Sequence, residues 1–281
     1  MIDVLWEDNH LIVVNKPAKW VTQGAAGQTS SSQTSSVTSL YDETCAYIKA
    51  KYRKPGRVYL GVVSRLDAPV SGVVCFARTS KAAARLNEQF RGHTVRKTYL
   101  AVVQSPDSLA DAATASDRCE DFLLHDDSAR RVRIVSQETP GAKFASFDWT
   151  LLHYDRTSRR ALLAIDLHTG RKHQIRVQLA ARGMAIVGDT LYAPHQKRYD
   201  KETRHRNEGR SSRHHSVIAG KWSVGASDVS GAIRLPERIQ LHAWQLSLDH
   251  PVRHERMTFT ASVPDDFASF RRWLPQEAPS Q

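Results

Sequence analysis

The sequence predicts an α+β fold, with a mixed, mainly antiparallel central sheet and helices and loops around it. Three observations carry that prediction. Apolar segments of strand length come in runs, only two or three stretches have a helical period, and the two kinds do not alternate as a parallel βαβ sheet would require. With 281 residues, 41% of them hydrophobic, the chain can bury a core in one domain or two closely packed ones, without a metal or disulfide staple.

Leu11 to Val14 reads as the first strand, closed by the Lys16-Pro17 turn because proline cannot donate to a ladder. Gly24 to Val37 is rich in Ser, Thr, Gln and Gly and reads as a surface loop. A helix should follow, capped by Ser39 with Asp42, with Tyr41, Cys45, Ile48 and Tyr52 along one face. Two apolar runs, Val58 to Val63 and Val73 to Ala77, read as buried strands. Thr79 or Ser80 should cap the next helix, which carries Leu86 and Phe90 on one stripe and stops at Gly92. Lys97 to Val103 alternates as a strand, and Asp107 to Asp121 reads as a polar excursion. RVRIVS, FASFDWTLLHY and RRALLAIDLHT are further strands, the second with Trp149 and Leu151 on one face. HQIRVQLAARG reads as a helix that turns Ile175 and Leu179 to the core, and AIVGDTLYAP returns to extended structure. His195 to about Asp228 is basic and irregular, after which IQLHAWQLSLDHPV and MTFTASVP supply the last strands.

The formal net charge of +11 needs a polyanionic partner or another reason, since self-repulsion opposes compaction. Nucleic acid is the natural candidate, through release of counterions from its phosphates. Cys45, Cys75 and Cys119 are far apart in sequence, a poor disulfide framework and a poor zinc site, so a reducing cytoplasm fits best. No signal peptide is expected at the acidic start, and no apolar run approaches the roughly 18 residues of a membrane helix. Neither a dinucleotide fingerprint, a Walker loop nor a G-x-S-x-G elbow occurs, so no cofactor is expected. Pro251 argues against a regular helix that would bring His250 and His254 together, and the other histidines, His214-His215 among them, lie in a loop with no carboxylate at ligand spacing, so no metal is expected either.

Between the strands at Val58 to Val63 and Val73 to Ala77 lies SRLDAPVSG, with Arg65 and Asp67. Asp, Pro69 and Gly72 would suit an ordinary turn. Two other segments argue for chemistry: TGRKHQIRVQL gathers Arg171, Lys172, His173 and Arg176 at a helix start, and KTYLA places Tyr99 inside a strand, where a phenol needs a partner or a purpose.

RLD followed by SG, a Lys-x-Tyr-x-Ala strand, TGRKHQIR followed by IVGDTLY, and LHAWQLSLDHP resemble, in this order, the RluA-type RNA pseudouridine synthases. The opening EDNHLIVVNKPA resembles that family's first block, and the resemblance runs from about Asp3 to Pro251. It implies a pseudouridine-synthase-like fold and isomerisation of uridines in rRNA or tRNA, without a cofactor. Residue by residue, Asp67 corresponds to the catalytic aspartate, Tyr99 to the active-site tyrosine and Arg176 to the arginine that pairs with the aspartate. Ile175 corresponds to the apolar pocket residue and Arg65 to the arginine of the RLD signature, which would fill the gap left by an extruded base. Lys97, Arg171 and His173 are expected to help bind the substrate. A carboxylate in a closed pocket would lose its charge, whereas a guanidinium about 4 Å away contributes on the order of 4 kcal/mol toward keeping it.

In the implied reaction the base leaves C1′, turns, and rejoins through C5, with Asp67 either adding at C1′ or taking the C2′ proton. Tyr99 would stack on the base and serve in removal of the C5 proton. The sequence departs from the family where Ser64 replaces a histidine, where Ala68, Pro69 and Val70 follow Asp67, and where Gln178 replaces a histidine, positions that bear on substrate choice. Residues 1–265 are expected to form one catalytic domain with insertions at about 24–37 and 195–228, residues 266–281 a tail, and no N-terminal S4 domain is expected. RNA is the expected partner of a monomeric chain with no membrane association. Two competing readings are an RNA-binding protein or RNA chaperone that uses the same fold without turnover, and a nuclease or hydrolase that uses the histidine-rich segment.

Overall fold

In the computed structural model, residues 2–24, 38–104, 109, 115–126, 128–129, 131–193 and 238–275 are described. The segment 195–228 and nearly all of the loop 24–37 lie outside them. One 11-stranded sheet organises the chain, in the order β1-β2-β4-β10-β5-β9-β8-β6-β7, with β11 against β10 and β3 against β4. The strands are β1 (Asp3–Glu7), β2 (Leu11–Lys16), β3 (Gly61–Val62), β4 (Ser71–Ala77), β5 (Arg96–Gln104) and β6 (Ser116–Asp126). They continue with β7 (Arg131–Val135), β8 (Lys143–Asp155), β9 (Arg160–Leu167), β10 (Leu241–Asp249) and β11 (Arg256–Thr260). Among the paired strands only β4 and β10 run parallel, so the predicted mixed, mainly antiparallel α+β class is what forms.

Three helices, α1 (Leu40–Lys51), α2 (Ser80–Arg91) and α3 (Gln174–Ala181), pack on this sheet. The period of two decides which helix covers which face. Ile12, Val14, Val74 and Phe76 meet Leu40 and Ile48 of α1, whereas Leu11, Val13, Val73 and Cys75 meet Ala82 and Leu86 of α2. With helices on both faces, β2 and β4 have no wet side, and their sequences are apolar at nearly every position. In β5, Ala101 and Val103 pack toward Ile175 and Leu179 of α3, while Leu100 and Val102 pack against Phe267 and Phe270 on the other face. Those phenylalanines belong to 3-10 turns over Asp265–Trp273, so the stretch read from sequence as the start of a tail enters the core.

Both helix caps form as the sequence indicates: Ser39 Oγ accepts from Asp42 N, and Thr79 Oγ1 from Ala82 N. Four other expectations need correction. On α1, Tyr41, Cys45 and Ile48 do pack on the core beside buried Leu40 and Thr44, but Tyr52 ends the helix and is 43% exposed. The run Val58 to Val63 pairs only at Gly61–Val62, because one edge of β4 is shared between β3 at one end and β10 at the other. The polar excursion Asp107 to Asp121 contains the start of β6, whose alternation of buried Cys119 with exposed Arg118 and Glu120 marks a strand wet on one face. AIVGDTLYAP bridges β5 only at Ile186 and then turns at Gly188, whose φ is +86°.

Candidate active site

Asp67 lies in the loop between β3 and β4, and the backbone on each side of it is fixed. Upstream, Ser64 Oγ accepts from Cys75 N at 3.1 Å and donates to Cys75 O at 3.4 Å. Thr22 Oγ1 accepts from Leu66 N and donates to Leu66 O, both at 3.0 Å. Downstream, Ala68 O accepts from Lys19 N at 2.8 Å and from Lys16 Nζ at 3.2 Å. Lys16 is wholly buried, and its Nζ also donates to Trp20 O at 2.7 Å and Pro17 O at 3.0 Å, three carbonyls for the three protons of an ammonium. Burial pulls its pKa down to about 7, against the opposing pull of Asp67. The loop closes with Val70 N donating to Asp67 O, and Gly72, at φ +120°, lets β4 and β10 approach so closely that a Cβ there would stand 2.2 Å from Ala243 O.

The α3 side supplies the countercharge. Arg176 is 2% exposed, and its Nη1 donates to Asp67 Oδ2 at 3.0 Å. Its remaining donors make a fork on Asp189, Nε to Oδ2 at 2.6 Å and Nη2 to Oδ1 at 2.9 Å. Burial opposes the guanidinium charge, but the bonds to Asp189 and Asp67 outweigh it and raise the Arg176 pKa. Asp189 is buried as well, in the turn after α3 that Gly188 permits, where a Cβ would meet Arg238 O at 2.7 Å. His173 precedes α3 with a left-handed φ of +52°; its Nε2 stands 3.6 Å from Asp67 Oδ2 and its Nδ1 2.8 Å from Tyr192 Oη. Burial, together with Arg176 and Lys172 and against Asp67, pulls its pKa down, so the ring is neutral at pH 7.

Asp67, Tyr99, Arg176, Ile175, His173, Arg65 and Arg171 line one cavity of about 100 Å³. Tyr99 comes from β5 between Ile165 and Ala243, and burial, with Asp67 nearby, pushes its phenol pKa well up, so it stays protonated. The cavity shares Arg65, Leu66, Tyr99, Leu167, Gly170 and Arg171 with a groove of about 630 Å³ that also holds Arg91, His93 and Lys97. Lys97 has its pKa pulled down to about 8 by burial and by Arg171, and its Nζ lies over Gly170. The pocket thus offers a fixed carboxylate beside a groove lined by Arg65, Arg91, Lys97 and Arg171.

The family model for RNA pseudouridylate synthase matches residues 10–181, more than half of the sequence. The chain belongs to that family. Its members are isomerases that convert uridine to pseudouridine in RNA. The synthase is 28% identical over 274 residues to ribosomal large subunit pseudouridine synthase D of Zymomonas mobilis, covering 94% of this chain and 70% of that protein. It is 27% identical over 266 residues to tRNA pseudouridine synthase C of Pectobacterium carotovorum, covering 93% of this chain and 59% of that one. Against its relatives, then, the synthase spans roughly six to seven tenths of their length. In fold it is similar to human RNA pseudouridylate synthase domain containing 4, with a TM-score of 0.61 at 21% identity, covering 96% of this chain and 92% of that one.

All eight residues singled out in the sequence border the cavity or the groove, Lys97 in the groove alone. Sequence reasoning gave no role to Lys16, Thr22, Asp189 or Tyr192. A lysine ending the apolar run LIVVNK was the available signal for the first, and the IVGDTLY motif for the last two. Elsewhere, His250 Nε2 donates to Asp8 Oδ2 at 2.7 Å, and no cluster of metal-ligating side chains occurs among the described residues. His214-His215 lies outside them. Cys45, Cys75 and Cys119 are free thiols. No helix among the described residues is long and apolar enough to cross a membrane.

Proposed function

We propose that this synthase isomerises uridines of rRNA or tRNA with Asp67 as the reacting carboxylate. The observation that carries this reading is the 3.0 Å bond from buried Arg176 to Asp67 in a cavity that both residues line with Tyr99 and Ile175. Arg176 holds the carboxylate in place against a buried guanidinium, as a nucleophile at C1′ or a base at C2′ requires. Tyr99 presents its ring to the base from β5; because its hydroxyl stays protonated, the C5 proton leaves to water or another base and not to this phenol. Ile175 packs against the base from α3. Because the base must leave its stack to turn, a few kcal/mol of unstacking has to be offset by contacts along the groove, from Arg65, Arg171 and Lys97 to the phosphates and to the vacated space. A soluble cytoplasmic monomer with a single catalytic domain is consistent with this chemistry.

The test incubates the protein with total RNA from cells lacking its gene, then separates rRNA from tRNA and measures pseudouridine by nucleoside chromatography. A gain in one fraction, absent with Asp67→Asn, is expected and identifies the target class. No gain in either fraction would contradict the proposal.

A further inference from the structure

The hydrogen bonds around His173 have a fixed direction. Val132 N–H, from β7, can only donate, and it reaches Tyr192 Oη at 2.9 Å. Tyr192 Oη in turn lies 2.8 Å from His173 Nδ1. The phenol oxygen keeps a second lone pair, so the direction is decided at the other ring nitrogen: a bare Nε2 lone pair would be repelled by the Asp67 carboxylate it faces, so the ring proton sits at Nε2 and Nδ1 accepts the phenol hydrogen. A neutral imidazole that accepts at Nδ1 carries its proton at Nε2, and Nε2 faces Asp67 Oδ2 at 3.6 Å. That is the oxygen Arg176 already holds. Among the described residues Oδ1 has no hydrogen-bond partner.

Two further observations point the same way. His173 keeps a left-handed φ of +52° that costs a non-glycine residue on the order of 1 kcal/mol, and this backbone aims its ring between Asp67 and Tyr192. The ring is also kept from becoming a second cation. Asp67 faces it from the β3–β4 loop, Arg176 and Lys172 from α3 and its lead-in, and Asp189 and Tyr192 from the turn after α3, and with burial the balance favours the neutral form. A neutral donor orients a carboxylate without quenching its charge.

Resting on the assignment of Asp67 above, we propose that His173 is a positioning residue: a neutral imidazole, its tautomer set by Asp67 and Tyr192, whose Nε2–H dipole faces Asp67 Oδ2 beside the Arg176 hydrogen bond and leaves Oδ1 to meet the ribose. Tyr192 and Asp189 then act as one unit, since the same short turn clamps Arg176 and sets the imidazole.

The test reads the tautomer without turnover. In the full chain labelled with 15N-histidine, His173 should give the signature of an Nε2-protonated neutral ring near pH 7, and Tyr192→Phe should lose that single signature. Single-turnover rates supply the second arm. His173→Leu should lose on the order of tenfold or more in rate at unchanged RNA affinity, and His173→Gln, which keeps an N–H donor, should recover most of that loss. Both variants place a β-carbon side chain at the same left-handed φ, so backbone strain is common to them. An Nδ1-protonated or mixed signature in the unaltered protein overturns the proposal, as does a leucine variant as fast as the glutamine variant. A correct signature in a protein that turns over no RNA overturns the assignment of Asp67 while the Tyr192-to-His173 tautomer stands.

Discussion

Arg176 holds two carboxylates at once, and that sets what its loss should do. Arg176→Met leaves both Asp67 and the 1%-exposed side chain of Asp189 without their cation, a change expected to cost about 3–5 kcal/mol of stability along with activity. Urea denaturation followed by circular dichroism checks it, and an unmoved midpoint would mean the fork carries no weight. Lys16 acts one step further out. Lys16→Met leaves the carbonyls of Pro17, Trp20 and Ala68 without their shared donor, so stability should fall by about 2–3 kcal/mol and the rate should fall with the loosened Asp67 loop. A variant with wild-type melting and wild-type rate would remove Lys16 from the account. At this scale the sequence displays the chemistry better than its support. Asp67 and Arg176 are visible as charges amid apolar runs, but that Lys16 turns inward to three carbonyls depends on backbone brought together from Trp20 and Ala68, which no local pattern encodes.

The junction of β4 with β10 joins the N-terminal strands to the rest of the sheet, and it is made of small, specific contacts. Gly72→Ala puts a methyl against the Ala243 backbone, so a loss above about 3 kcal/mol is expected by chemical denaturation, and a tolerated alanine would contradict the close approach. Beside it, buried His242 accepts from Ser71 Oγ at Nδ1, 2.9 Å away, and faces Ala261 O through Nε2. Burial holds its pKa down to about 4 from 6.5, so the unfolded chain takes up the proton first as pH falls. Stability is therefore complete above pH 6.5 and declines from there to about pH 4, by roughly 3 kcal/mol in all. Unfolding free energies across that range should slope for the unaltered protein and flatten for His242→Gln; parallel curves would rule the histidine out. β2 and β4 were legible because two dry faces make them apolar at nearly every position, and β5 and β10 because strand-length runs of buried residues stand out among their polar ones. The start of β6 was not, since a strand wet on one face looks like a polar loop until its partner β8 supplies the register.

For the molecule as a whole, the charge of +11 and the cationic groove beside the pocket predict binding that is steep in salt. Four or five phosphate contacts on single-stranded RNA would give a slope of about −3 in log affinity against log salt. A flat dependence, measured by titration with a fluorescent RNA, would place recognition in base contacts instead. The basic, irregular segment 195–228 lies outside the described residues, so the expected slope rests on the groove alone. Fold class and the lining of the candidate pocket could be read from the sequence because each motif is local, whereas the Asp189 fork and the Tyr192 contact depend on how the turn after α3 packs. The central claim is that Asp67 does the chemistry while the cationic groove does the binding. Single-turnover release of tritium from uridine C5 and RNA affinity, measured side by side for the unaltered protein and Asp67→Asn, test it most directly. The account predicts a rate loss of at least about a thousandfold with affinity held within a few fold; near-normal release by the asparagine variant, or a rate loss matched by an equal loss of affinity, would contradict it.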